Sequence, residues 1–253
     1  MTTVTTVPTV ETDVLIVGSG PAGASAALAL STDGVPNVMV TRYSRLADTP
    51  RAHITNQRTM EVLRDLGVEE EVIAQATPQH LMGNTVFCTA IAGEELGRLR
   101  SWGNEPLVQA AHELASPTRM CDMPQHLMEP VLVNAAIARG SQLRFGTEYL
   151  SHEQDADGVT ATVRDRLRGD TYTIRAKYLI GADGGRSKVA EDAGLPMGGQ
   201  RAWPAASTSS SRRTSPSTWR TDPPPSTGCW RPARPWAASA PVWCAAYGRG
   251  TSG

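Results

Sequence analysis

Six consecutive residues, Gly18-Ser19-Gly20-Pro21-Ala22-Gly23, have the types and spacing that can hold a phosphate anion. They stand directly after the apolar run Val14-Leu15-Ile16-Val17 and open an alanine-rich stretch. In a strand-to-helix setting Gly18 permits the tight turn, Gly20 lets the backbone approach a pyrophosphate, and Gly23 lets the helix lie close against the strand. Pro21 and Ala22 then open a helix whose first N–H groups face the anion. A bare glycine turn with no ligand is the competing reading, and the position between strand and helix disfavours it. A dinucleotide site usually adds an acid about twenty residues further on, for the adenosine ribose. Here Thr41 stands at that place, with a hydroxyl able to bond a ribose oxygen, and Arg42 next to it can face the adenine or a phosphate; the customary carboxylate is missing.

A second group of residues carries a resemblance. The stretch Pro50-Arg51-Ala52-His53-Ile54-Thr55-Asn56-Gln57-Arg58-Thr59-Met60-Glu61, followed by Leu66-Gly67, resembles the flavin-site segment of the class A flavoprotein aromatic hydroxylases, within them the phenol hydroxylase group. Met120 to Gln125, Tyr149 to Gly158 and Tyr178 to Lys188 resemble the same group, so the likeness spans residues 11 to 200. The resemblance implies FAD and NADPH as cofactors, and a phenol or chlorophenol and molecular oxygen as substrates. The product it implies is a catechol, formed by way of a flavin hydroperoxide.

It also implies residue roles. Arg51 matches the arginine on the FAD pyrophosphate, with a solvated surface charge as the alternative. Gln125 matches a glutamine on the ribityl chain, or else is only the start of a helix. Asp183 and Gly184 match a D-G fingerprint for FAD and NADPH, or else serve their turn alone. His53 stands where relatives carry an aspartate near the substrate hydroxyl; an imidazole there can accept the phenolic proton, and a structural histidine beside the flavin is the equal alternative. A hydroxylase of larger aromatics such as polyketides, a non-catalytic fragment and a flavin-binding interaction protein all stay open.

The elements that must position these residues follow from hydrophobic period and turn chemistry. Val14–Val17 and Val38–Val40 read as buried parallel strands, joined by a helix from Pro21 to Leu30, which makes a βαβ unit. Gln57 to Leu66 reads as a helix stopped by Gly67, and Pro124 to Ala138 as a long helix burying Leu127, Val131, Leu132 and Ala135. Short strands are expected at Thr85 to Thr89 and Leu107 to Ala110. From Gln142 to Ile180, turns at 155–158 and 168–170 predict an antiparallel meander that feeds the Gly181-Ala182-Asp183-Gly184 turn. The fold class is therefore α/β, an FAD-binding Rossmann-like βαβ core of the glutathione-reductase type with an incomplete antiparallel β substrate layer. Residues 1–10 are expected to be disordered and 11–200 to form the domain.

The formal net charge of -1 gives no electrostatic reason to bind nucleic acid or an anionic membrane. Cys88, Cys121, Cys229 and Cys244 lack metal or disulfide spacing, and His112, His126 and His152, read as surface residues, lack ligand spacing, so no metal is expected. No signal peptide or membrane span is readable, and a reducing cytoplasm fits best. A homo-oligomer is left open for the full-length protein.

After Gln200 the composition breaks. Residues 201–253 contain no Leu, Ile, Phe, Lys, Glu, Asn, Gln, His or Met, yet hold Trp203, Trp219, Trp230, Trp236 and Trp243. A Pro/Ser/Arg-rich disordered linker would be poor in aromatics. A GC-rich gene translated out of frame explains both oddities, because re-reading Ala202–Asp222 and Ala233–Trp243 one base out of phase restores apolar alternation and glycine turns. The expectation is a truncated chain that binds FAD weakly or not at all and does not hydroxylate.

Overall fold

The computed structural model describes residues 9–88, 94–195 and 198. Residues 1–8 and the tail 201–253 lie outside the described residues, and the expectations for them with it. The described residues divide into two units, one within 9–53, 63–72 and 124–198, the other within 54–62 and 73–123.

The first unit begins with β1 (Thr9–Val17), α1 (Pro21–Thr32) and β2 (Asn37–Val40), the expected βαβ unit. Strand β1 starts at Thr9, inside the segment expected to be disordered, because Thr9 and Val10 already pair with Thr173 and Ile174. Proline at the first turn and a run of alanines make α1; Gly34, at φ 73°, turns the chain after it into β2. Helix α5 (Gln125–Ala138) packs against α1. Its buried face is Met128, Val131, Leu132 and Ala136, so the expected stripe is corrected at Leu127 and Ala135, both only half-buried.

Strands β8 (Gln142–Arg144), β9 (Thr147–Asp155), β10 (Gly158–Asp165) and β11 (Thr171–Gly181) complete a six-stranded sheet of order β8-β2-β1-β11-β10-β9. The meander is real for β9, β10 and β11. Strand β8 departs from it: it leaves the meander and pairs parallel with β2, since it follows α5 as the return of a second crossover. Strand β11 runs parallel to β1 and delivers the 181–184 turn beside the glycine loop. Beneath the sheet, Leu15, Val17, Val38, Val40, Val163 and Ile174 form one buried cluster, the period-2 apolar positions of adjacent strands meeting on one face.

The second unit holds β3 (Ile54–Thr55), β4 (Thr77–Pro78) and β7 (Cys121–Asp122) in one small sheet and β5 (Asn84–Cys88) with β6 (Glu95–Arg100) in another. Helices α2 (Gln57–Asp65) and α3 (Glu69–Gln75) run across the division, and Gly67 ends the former at φ 67°. The strand expected at Leu107 to Ala110 is instead part of α4 (Pro106–Ala115). Glu105 caps that helix, accepting from the N–H groups of Leu107 and Val108 at 2.9 and 3.1 Å, and Pro106 is pre-set for its first turn. Cys88 and Cys121 are buried thiols. Among the described residues no helix is long and apolar enough to cross a membrane.

Candidate functional site

A cavity of about 680 Å³ opens in the first unit where the β1–α1 turn, the segment after β2, the start of α5 and the 182–188 turn converge. Gly18 makes the turn at φ 111°, and a Cβ on it would meet the Ala182 carbonyl oxygen at 2.2 Å. A Cβ on Gly23 would meet the Gly18 oxygen at 1.9 Å. Both distances are below any contact a side chain makes, so helix, loop and β11 can meet here only through glycine. Gly20 is different: it is the N-cap of α1, and its nearest neighbour in the Cβ direction, Glu129 Oε1, is 4.0 Å away. That space belongs to the cavity. No side chain caps α1 and no acid lies in its first turn, so the positive end of a twelve-residue helix faces the opening at Pro21 and Ala22.

The lining carries Arg42, Arg45, Arg51, Arg186 and Lys188. The carboxylates around them are already engaged. Asp48 pairs with Arg45 at 2.6 Å, and Glu148 pairs with Arg164 at 2.7 Å. Asp183 accepts from Ser187 Oγ at 2.5 Å and from the Lys188 and Val189 N–H groups at 2.7 and 3.2 Å, capping α6 (Lys188–Asp192). Arg51 and Arg186 have no carboxylate partner among the described residues. An anion is what this balance lacks.

The other expected residues fall as follows. Thr41 lines the cavity but is buried, and its Oγ1 accepts from the Tyr43 N–H at 3.5 Å. Arg42 bonds the Tyr43 hydroxyl at 3.1 Å, its guanidinium 5.2 Å from that ring's centre, and this contact holds the Tyr43 phenol below its ordinary range. Gly184 takes φ 87° in the turn. Gln125 starts α5, its backbone N–H held by the Ala52 carbonyl at 3.1 Å. His53 is half-buried at the end of the segment that carries Arg51 and is not among the residues lining this cavity. His112, His126 and His152 are half-buried, a correction to their reading as surface residues. Desolvation lowers the pKa of His126, while His152 Nδ1 lies 2.5 Å from the Tyr149 hydroxyl. That hydroxyl also donates to Asp192 at 2.9 Å, and burial, then the carboxylate, push the Tyr149 phenol well above its usual value.

Glu129 was missed. It is 3% exposed, lines the cavity, and accepts from the Ala47 N–H at 2.8 Å and from Gln125 Nε2 at 2.5 Å. The available signal was the lone carboxylate of a mainly apolar helix, one turn after Gln125. Arg45, Arg186 and Lys188 were also missed, since lone surface-type cations carry no sequence signal.

A family model described as an FAD binding domain matches residues 11–247. The chain belongs to this FAD-binding domain family. Within the family, the chain is 61% identical over 188 residues to a phenol 2-monooxygenase of Pseudomonas sp. (strain EST1001), covering 74% of this chain and 31% of that protein. It is 58% identical over 191 residues to a 2,4-dichlorophenol 6-monooxygenase of Delftia acidovorans, covering 76% and 33%. Among solved structures, the flavin-dependent monooxygenase PieE in complex with FAD and substrate matches with a TM-score of 0.70 and 47% identity over 81% of this chain and 33% of that one. The chain spans about a third of the length of the curated relatives it matches. The α/β fold of the first unit, with its parallel strands, is that of FAD-binding aromatic hydroxylases.

Proposed function

We propose that the cavity holds the dinucleotide of FAD. The residues present fit the group: the glycine opening at Gly20, which a Cβ would fill, meets Arg51 and Arg186 in a lining without free carboxylates for them. That is the observation that carries the reading. In it, the N–H groups opening α1 and the Arg51 fork bind the pyrophosphate, Arg42 serves its adenosine side, and Gln125 bonds the ribityl chain. Asp183 and Gly184 shape the turn that closes the cavity and would meet FAD and NADPH through its backbone, because the Asp183 carboxylate is taken up by α6.

For the whole protein we propose FAD- and NADPH-dependent hydroxylation of phenols or chlorophenols to catechols, with molecular oxygen as co-substrate. The names of the two relatives at 61% and 58% identity support it. Bound flavin would supply the redox and oxygen chemistry, and the chain's own residues orient it and exclude water. His53 would hold the proton of the phenolic oxygen. Residues 11–200 are then the FAD-binding domain with part of the substrate layer, and residues 201–253 are read out of frame. Sequencing the gene past the codon for Gln200 tests the last point, and an unbroken authentic frame through the tail overturns it.

The functional test is reconstitution of the full-length protein, carried past Gln200 in its authentic frame, with FAD, followed by NADPH oxidation on a panel of chlorophenols and polycyclic quinones; the present chain is expected to take up FAD weakly or not at all and not to hydroxylate. The expected result is a yellow protein stimulated by chlorophenols. A colourless protein that cannot take up FAD overturns the flavin reading, and stimulation by polycyclic quinones alone replaces the phenol by a larger aromatic.

A further inference from the structure

Glu129 stands out because a carboxylate withdrawn from water needs partners, and here the partners are two parts of the cavity wall. One oxygen accepts from the Ala47 N–H and so pins the segment that carries Arg42, Arg45 and Arg51. The other accepts from Gln125. A side-chain amide can present either its NH₂ or its carbonyl, and which way it faces follows from its neighbours. A carboxylate only accepts, so it fixes the choice: Gln125 must give Glu129 its NH₂, which leaves Oε1 as the amide's acceptor. Among the described residues that oxygen accepts no hydrogen bond, and Gln125 lines the cavity. The corner therefore offers the Gln125 carbonyl as its acceptor to whatever lies against it, since both Glu129 oxygens are already engaged. A ligand hydroxyl can donate to that carbonyl, whereas a phosphate oxygen has no hydrogen to give it.

We propose that Glu129 is a positioning residue: it locks the Gln125 amide so that its carbonyl, and not its NH₂, is presented to the ribityl hydroxyls. The proposal rests on the FAD reading and assigns Glu129 a part in it. Charge at Glu129 orients the amide, and the amide reads the ligand.

Equilibrium dialysis against FAD and, separately, against ADP tests it, since ADP has the phosphates and adenosine but no ribityl chain. The proteins compared are all full length in the authentic frame: the unsubstituted protein, Glu129→Gln, Gln125→Ala and the double variant. Glutamine at 129 can still accept from the Ala47 N–H, so the segment stays pinned, but it no longer dictates the facing of Gln125. Glu129→Gln is expected to weaken FAD roughly three- to tenfold, the worth of about one hydrogen bond, and to change ADP less than about twofold. In the Gln125→Ala background it should add nothing, because the two act as one unit. Equal losses for FAD and ADP, full additivity in the double variant, or an unchanged FAD affinity each overturn the inference while leaving FAD binding standing. An unsubstituted full-length protein that takes up neither ligand overturns the flavin reading itself, and this inference with it.

Discussion

Of the largest side chains fully withdrawn from solvent, Met60 and Met123 belong to the second unit, while Leu15, Ile16, Leu28, Met39, Leu132 and Ile174 are among those of the first. The first unit stacks a six-stranded sheet and two mutually packed helices, with every strand of the sheet paired over three or more residues. In the second unit β3, β4 and β7 are two residues each, β5 and β6 form a lone pair, and α4 buries nothing, with Leu114 91% exposed. A two-stranded ribbon is marginal on its own. The contrast explains where the candidate site lies. An anion cradle needs backbone N–H groups and guanidinium groups fixed to fractions of an ångström, and only the densely packed unit can fix them.

The largest expected effect comes from the junction on which that packing depends. Gly23→Ala places a methyl group against the Gly18 carbonyl, and overlap with backbone cannot be relieved by a rotamer change. Denaturant unfolding should show a loss of about 3 kcal/mol or more; an unchanged midpoint would remove the close approach from the account. Next, Leu132→Ala in α5 should cost about 2–5 kcal/mol, whereas Leu114→Ala in α4 should stay within about 0.5 kcal/mol. Equal costs for the two would erase the difference between the units. Smaller still, Glu105→Ala removes the acceptor of two α4 N–H groups and should raise hydrogen exchange there by an equivalent of about 1 kcal/mol. Unaltered exchange in α4 would show that the cap is idle.

The smallest effect is a surface ion pair of the first unit. Arg175 bonds both Asp155 oxygens, at 2.7 and 2.8 Å, and holds that carboxyl down at about 2 against an ordinary 3.8. A depressed carboxylate stabilises the fold above its unfolded value and loses that contribution as the pH falls through the folded one. Asp155→Asn should therefore narrow the stability gap to the unsubstituted protein as pH drops from 4 to 2. A constant gap across that window would dissociate the pair from stability.

Much of the first unit was legible before any coordinates. The runs at Val14 and Val38 and the Gly18–Gly23 loop carry strong local signals, and local and tertiary preferences agree there. Strand β8 was misplaced because three residues cannot announce whether their partner is the next strand or β2. The Leu107–Ala110 segment reads as β-prone by its apolar content, but Glu105-Pro106 held the helix start, and Glu is an uncommon cap. At the site, glycine positions follow from sterics and were readable; Glu129 was not, because its meaning arises only when α5 brings it to Ala47 across 82 residues of chain. Likewise Asp183 was correctly placed on its turn, yet nothing in the sequence says that the Ser187, Lys188 and Val189 groups would claim its carboxylate.

Hydrogen exchange of the full-length protein in its authentic frame, with and without saturating FAD, tests the central assignment most directly. The account predicts slowed exchange at the amides of Gly20, Ala22 and Gly23, of residues 42–49 and Arg51, and of residues 125–129, with β5 and β6 unchanged. Protection confined to the second unit, or none in the first, would contradict it.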